Sequence, residues 1–181
     1  MPDASTLPVS SNLQIRWSDQ TTQGDRFHIG IYGWYKTGKT VYAARLKRAL
    51  LCNCDPEGTL PLRNLGIRVP VVDCKHFRDV EAVVDQLKAH PEWGLDTVIV
   101  DSVTWLSEAL KDDLGIGPQA KIHLWGYFLD AFKRLWKKLY ANQINSVWIC
   151  HAAAEDAAVS AAGGSASQRV VAPKIPGQSG A

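Results

Sequence analysis

The chain has 181 residues, of which 46% are apolar and 21% charged, with a formal net charge of +2. That length suits one compact domain with a real hydrophobic core, and near-neutrality excludes the overall basicity that would by itself announce a nucleic-acid binder, although a local basic patch remains open. No apolar run approaches the roughly 20 residues needed to cross a bilayer, so no membrane partner is expected.

Residues 1–24 are polar, rich in Ser, Thr, Asp and Gln, and show no sustained period. They are expected to form a flexible N-terminal arm. Met1 to Ser11 lacks the basic start and apolar stretch of a secretion signal, which predicts a cytoplasmic location. The four cysteines Cys52, Cys54, Cys74 and Cys150 are then reduced thiols. Cys52-x-Cys54 with Cys74-x-His76 has the composition of a four-ligand zinc site; the alternative is a set of small half-buried residues.

Phe27 to Tyr32 is a short apolar run that ends at Gly33, as a buried strand entering a tight turn does. From Lys39 to about Leu51 the pattern reads as a helix, with Val41, Ala44 and Leu46 inside and Arg45, Lys47 and Arg48 outside. Asn53 to Asn64 carries Pro56, Gly58 and Pro61 and reads as a loop. Val69 to Cys74 is the second β-branched run. Val80, Val83, Val84 and Leu87 recur with helical period before Pro91.

Thr97-Val98-Ile99-Val100 is the clearest buried strand, and it ends on Asp101. A helix is expected from about Val103 to Leu114, broken by Gly115, and a long one from Leu124 to Asn142. Ser146 to Cys150 is a further buried strand, closed by His151. Residues 152–168 are small and low in complexity and read as a loop or an Ala-rich helix, and Arg169 to Ala172 as a last strand. Alternating strands and helices predict an α/β fold in three layers, a mainly parallel central sheet flanked by helices.

Gly33-Trp34-Tyr35-Lys36-Thr37-Gly38-Lys39-Thr40 matches G-x-x-x-x-G-K-[ST] in full. Glycines allow close backbone approach, and successive N–H groups then form an anion nest for phosphates. Lys39 would reach the β- and γ-phosphates of ATP, and the Thr40 hydroxyl would hold Mg²⁺. Nucleotide contacts are expected from Gly33 through Val41. Strand before and helix after supply the context the motif requires.

Such a loop needs a carboxylate at a neighbouring strand end to hold the magnesium. Asp101 has that setting, though Asp101-Ser102 could equally cap the next helix. His151 either senses the γ-phosphate or closes its strand. Asp73 either orients the attacking water or is a surface carboxylate. Lys39, Asp101, His151 and Asp73 are the candidate catalytic residues. Lys133, Arg134, Lys137 and Lys138 form a basic cluster, either a solvated helix end or a phosphate-contacting patch. Of the seven tryptophans, Trp105, Trp136 and Trp148 lie on periodic apolar segments and are expected in the core.

Ile31 to Thr40, Val98-Ile-Val-Asp-Ser102, Trp125-x-Tyr127, Val147-x-Ile-x-His151 and Pro173-x-Ile-Pro-Gly177 together resemble the RecA-like P-loop ATPases, and among them the phage-encoded nucleotide-binding proteins with single-strand annealing roles. The resemblance implies an ATPase domain over 25–177 followed by a short C-terminal end, 178–181, after which more chain would be expected. It places the His151 strand between the P-loop strand and the Asp101 strand. It implies single-stranded DNA as a partner, through loops at about Asp113 to His123 and Ala152 to Gln168, and homo-oligomeric rings or filaments with ATP between subunits.

Two departures stand beside it. The family's glutamate at the end of the second strand is replaced, in this reading, by the shorter Asp73, and the 152–168 loop has no Lys, Arg or aromatic residue. The expected function is therefore an Mg-ATP-dependent ATPase, phage-encoded, in DNA recombination, annealing or replication. The alternative is a nucleotide-regulated interaction module with little or no hydrolysis. A small-molecule kinase fits less well, because 102–168 holds a single arginine, Arg134, where a phosphate lid would need several.

Overall fold

The computed structural model describes residues 26–157 and 168–173, with side chains described through Ala152. The N-terminal arm, most of the low-complexity segment and the end after Pro173 lie outside the described residues.

Chain order is β1 (His28–Gly33), α1 (Lys39–Ala43), β2 (Ala49–Asn53), α2 (Leu60–Asn64), β3 (Val71–Asp73), α3 (Phe77–Ala89), β4 (Thr97–Asp101), α4 (Val103–Leu114), α5 (Ile122–Ala141), β5 (Asn145–Ala157) and β6 (Gln168–Pro173). The first five strands to pair are parallel, in the order β1-β5-β4-β2-β3. β6 runs antiparallel on the far half of β5. This is the three-layer α/β architecture of P-loop nucleoside triphosphatases, with the His151 strand between those of Gly33 and Asp101.

Alternation along the central strands divides the core. Leu50, Cys52, Val98 and Val100 face one layer, where they meet Val80, Val84 and Leu87 of α3, Leu106 and Leu110 of α4, and Phe128, Leu135 and Leu139 of α5. Leu51, Ile99, Val147 and Ile149 face the other, against Ala43, Ala44 and Leu62. A strand buried on both faces reads as an unbroken apolar run, which is what β4 shows.

That same property misled the reading of residues 39–51. The expected helix ends at Ala43, and Arg48 turns the chain with φ of 60° into β2. Ala49 through Cys52 are all at most 6% exposed, so the run is a central strand and not the tail of a helix. A short apolar run has no period of its own to separate the two.

Smaller differences follow. The 53–64 loop contains α2, with Pro61 in its first turn, where a missing N–H costs nothing. β5 continues past His151 into the segment expected as loop or helix. Trp105 and Trp136 are not core residues, being 47% and 45% exposed, whereas Trp148 is half-buried against the α3–α5 layer. An amphipathic ring satisfies helical period from the rim of a core as well as from its interior. Among the described residues no helix is long and apolar enough to cross a membrane.

The zinc alternative finds no four-ligand cluster among the described residues. Cys52 and Cys54 lie at the end of β2 beside Cys74, and hydrogen bonding toward Cys74 together with burial pushes the Cys52 and Cys54 thiols up. His76 instead sets its Nδ1 at 3.0 Å from Asp113 Oδ1, at the start of α3. Among the described residues no group of three or more His, Cys, Asp or Glu is placed to hold a metal ion.

Leu51 is fully buried in β2. Leu51→Ala should therefore cost about 2–5 kcal/mol in urea unfolding, while exposed Arg45→Ala, in the segment leaving α1, should change stability by less than about 0.5 kcal/mol. A Leu51→Ala cost no larger than that of Arg45→Ala would contradict the strand assignment.

Candidate nucleotide site

β1 delivers Gly33 to the C-terminal edge of the sheet, and the chain then folds back on itself before α1. Lys36 (φ 63°) and Gly38 (φ 85°) both take the left-handed conformation, which turns backbone groups inward. At Gly33 a Cβ would meet Thr37 Oγ1 at 3.3 Å, so the loop closes tightly over this position. The Lys39 ammonium donates to the carbonyl oxygens of Gly33 (2.9 Å) and Trp34 (2.8 Å) and so lies folded across the loop. Burial lowers its pKa, and the nearby Asp101 and Cys150 oppose that shift.

Asp101 closes β4 and is 3% exposed. Its carboxylate Oδ2 accepts a hydrogen bond from the Thr40 hydroxyl across the intervening β5 strand. The cap of α4 is Ser102, whose Oγ accepts from the Trp105 N–H, so Asp101 is free of the capping task. Burial pushes the Asp101 carboxyl up to about 6; the Thr40 hydrogen bond pulls it down, the charge of Asp55 raises it and Lys39 lowers it. Thr40 and Asp101 together form a pair of hard oxygen donors beside a cation and an anion nest. That donor set fits a magnesium ion.

The cavity around them has a volume of about 380 Å³. It is lined by residues of the P-loop from Tyr35 to Val41, by Asp101 and His151, and by Asp55, Glu57, Gly58, Leu60 and Pro61 from the segment after β2. Gly33 and Trp34 do not line the cavity; Gly33 touches it only through its carbonyl contact with Lys39, and Trp34 is 49% exposed. His151 lies beside Gly33 in register, its N–H donating to Thr104 Oγ1 at 3.1 Å. His151 Nε2 lies 3.8 Å from Asp55 Oδ2.

Asp73 does not join this group. It ends β3 at the outer edge of the sheet, where its Oδ1 accepts from Asn53 Nδ2 at 2.7 Å. The acid that the fold brings to the cavity is Asp55, 7% exposed, with its N–H on the Asp101 carbonyl and its Oδ1 accepting from the Glu57 N–H. Glu57 in turn accepts from the Tyr35 hydroxyl at 3.0 Å, so the P-loop and the segment after β2 are tied together over the cavity. Asp55 and Glu57 were missed because the strand before them read as helix. The signal was the Asp-Pro-Glu-Gly turn directly after the apolar run 49–52.

Residues 26–181 match the family described as an AAA domain, so the chain belongs to that family of nucleotide-binding P-loop ATPase domains. A search of curated proteins finds no match.

The raised Asp101 pKa has a definite sign. Between the ordinary carboxylate value and about 6 the folded state holds a proton that the unfolded state has lost, so apo stability falls as pH rises through that window. Asp101→Asn should remove that slope and leave the apo protein more stable at pH 7, by up to about 3 kcal/mol. Thermal denaturation from pH 4 to 7.5 measures it; parallel profiles for the two proteins would overturn the assignment.

Proposed function

We propose that this AAA-domain chain is an Mg-ATP-dependent ATPase of the RecA-like type, phage-encoded, that works in DNA recombination, annealing or replication as a homo-oligomer. The observation that carries the ATPase reading is the Thr40–Asp101 hydrogen bond beside Lys39. It joins the end of the phosphate loop to a buried strand-end acid, which is the pairing a metal-nucleotide site needs. The nucleic-acid part rests on the RecA-like strand order, β1-β5-β4, and on the resemblance of the motifs.

Bound ATP would supply the phosphoanhydride to be cleaved, and a magnesium ion held by Thr40 and Asp101 would supply charge neutralisation. Lys39 would leave its two carbonyl contacts to meet phosphate oxygens, and the backbone N–H groups of the loop would hold the phosphates. Thr40 and Asp101 are the metal-facing oxygens. Asp55 is the carboxylate that would hold the attacking water, with His151 Nε2 at 3.8 Å from its Oδ2. Leu60 and Pro61 give the cavity an apolar wall away from the phosphates, suited to a base or sugar face.

The second reading, a nucleotide-regulated module with slow turnover, is favoured by one feature. Asp55 is a residue shorter than glutamate and already engaged with the Glu57 N–H, which limits its reach. The two readings separate on turnover.

ATP hydrolysis with and without single-stranded DNA is the test. Lys39→Ala should lower turnover by about 100-fold or more and abolish Mg-ATP binding in equilibrium titration. Asp55→Asn should lower kcat by about 100-fold while leaving ATP affinity near wild type, and Asp73→Asn should change neither. Unaltered ATP affinity in Lys39→Ala would overturn the nucleotide reading. Loss of turnover in Asp73→Asn with none in Asp55→Asn would return the base to the edge strand.

A further inference from the structure

The basic cluster of α5 divides into two pairs with different surroundings. Arg134 and Lys138 face α3: Lys138 Nζ lies 2.6 Å from Asp85 Oδ2 and 3.2 Å from the Glu81 carbonyl, and Arg134 lies 4.0 Å from Glu81. These two lysine and arginine charges are spent on holding one helix to another. Lys133 and Lys137 point elsewhere. With Phe132, Trp136 and the β5 residue Trp148 they line a second cavity of about 390 Å³, on the flank of the sheet where β1 is the edge strand among the described residues.

The floor of this groove is a braced set of rings. Ser146 Oγ, buried, takes the Trp148 indole N–H at 2.7 Å and lies 2.8 Å from His28 Nδ1. His28 packs on Trp136 with centroids 4.6 Å apart, and Trp136 meets Trp148 at 6.1 Å. The orientation of both indoles is thus set from beneath, while nearly half of Trp136 stays exposed. Gly30, the register partner of Trp148, leaves the adjoining space open, since a Cβ there would meet nothing within 4 Å.

The rim is cationic, and among the described residues no carboxylate lines the groove. Among the described residues Lys133 has one ion pair, with Asp130 at 3.5 Å between two exposed side chains, which is worth little. The two lysines are four residues apart and so stand one helical turn from each other on the same side. Indole rings and adjacent ammonium groups lining one groove are the two components of a single-strand platform, stacking for bases and cations for successive phosphates. A basic peptide would be repelled here, and a purely apolar helix would gain nothing from the lysines.

We propose that this groove, formed by Phe132, Lys133, Trp136, Lys137 and Trp148, binds single-stranded nucleic acid, with bases on the tryptophans and phosphates on the lysines. The site shares no lining residue with the nucleotide cavity. The proposal deepens the nucleic-acid part of the function proposed above and rests on it, but it is independent of the ATPase part.

The test uses the full chain, a fluorescein-labelled oligothymidylate of about 20 nucleotides and anisotropy titrations between about 50 and 200 mM salt. Mg-ATP binding is measured on every variant to show that the fold and the other site are intact. Trp136→Ala should weaken oligonucleotide binding about tenfold, and Trp136→Phe should recover most of that loss, because a stacking face returns. Lys133→Ala with Lys137→Ala should lower the slope of log affinity against log salt by about 1.4. ATP affinity should stay at the wild-type value throughout. Three results overturn the proposal: no oligonucleotide bound by the wild type, unchanged binding in Trp136→Ala and the double lysine variant, or a smaller sedimenting species in Trp136→Ala with unchanged DNA affinity. The last would make the groove a contact between protein chains. Failure of Lys39→Ala to lose ATP would overturn the ATPase reading alone and leave this test standing.

Discussion

The hydrogen bond from the Thr40 hydroxyl to the Asp101 carboxylate is the contact on which the site depends. It joins the start of α1, which follows β1, to the end of β4, and β5 lies between those two strands in parallel register. Gly33 stands opposite His151, and Asp101 stands opposite Ile149, two residues before it. Three strand ends therefore reach one edge of the sheet together. Burying Asp101 there is costly, as its raised pKa records, and Thr40 and Lys39 offset part of that cost. An acid kept at this cost in the apo protein is poised to gain when a cation arrives.

The loop after β2 completes what the three strand ends begin. The N–H groups of Cys54 and Asp55 both reach back to the Asp101 carbonyl, which pins the start of the loop to the β4 end. From there Asp55 turns toward His151 and Glu57 toward Tyr35. The tightness of the turn shows at Gly58, where a Cβ would come within 2.6 Å of the Asn53 side chain. One short segment thus supplies two carboxylates, an apolar wall and a tie to the phosphate loop. Its position is set by β2, a strand with one parallel neighbour on each side.

Away from that edge, the same alternation that makes two cores leaves aromatic residues at their margins. α5 buries Phe128, Ala131, Leu135 and Leu139, one residue per turn, and neighbouring positions carry Phe132 and Trp136 round to the open flank. The helix therefore serves two surfaces at once. Its Arg134 and Lys138 side meets the acids of α3, and its Lys133 and Lys137 side lines a groove with no acid among the described residues. Charge count alone places these four residues in one group, but their partners separate them.

Local pattern was enough for much of this molecule. The P-loop was legible because its eight residues carry their own geometry, and β4, α3 and α4 because an apolar strand ending in Asp101, a clean helical period and a Gly115 stop are local signals. The three-layer class followed from alternation of elements. What lay beyond the sequence were features decided by distant neighbours. Whether residues 49–53 extend a helix or enter a sheet depends on β3 and β4 waiting on either side, since an unbroken apolar run fits both. That decision moved the cavity's extra acid from Asp73 to Asp55. Whether Trp136 is core or rim, and whether Cys52, Cys54, Cys74 and His76 converge on a metal, likewise turn on what packs opposite them. The sequence by itself determined which chemistry the chain carries in its phosphate loop and strand-end acid; only tertiary structure decided which side chains share that space, because burial and proximity belong to pairs of segments and not to either one.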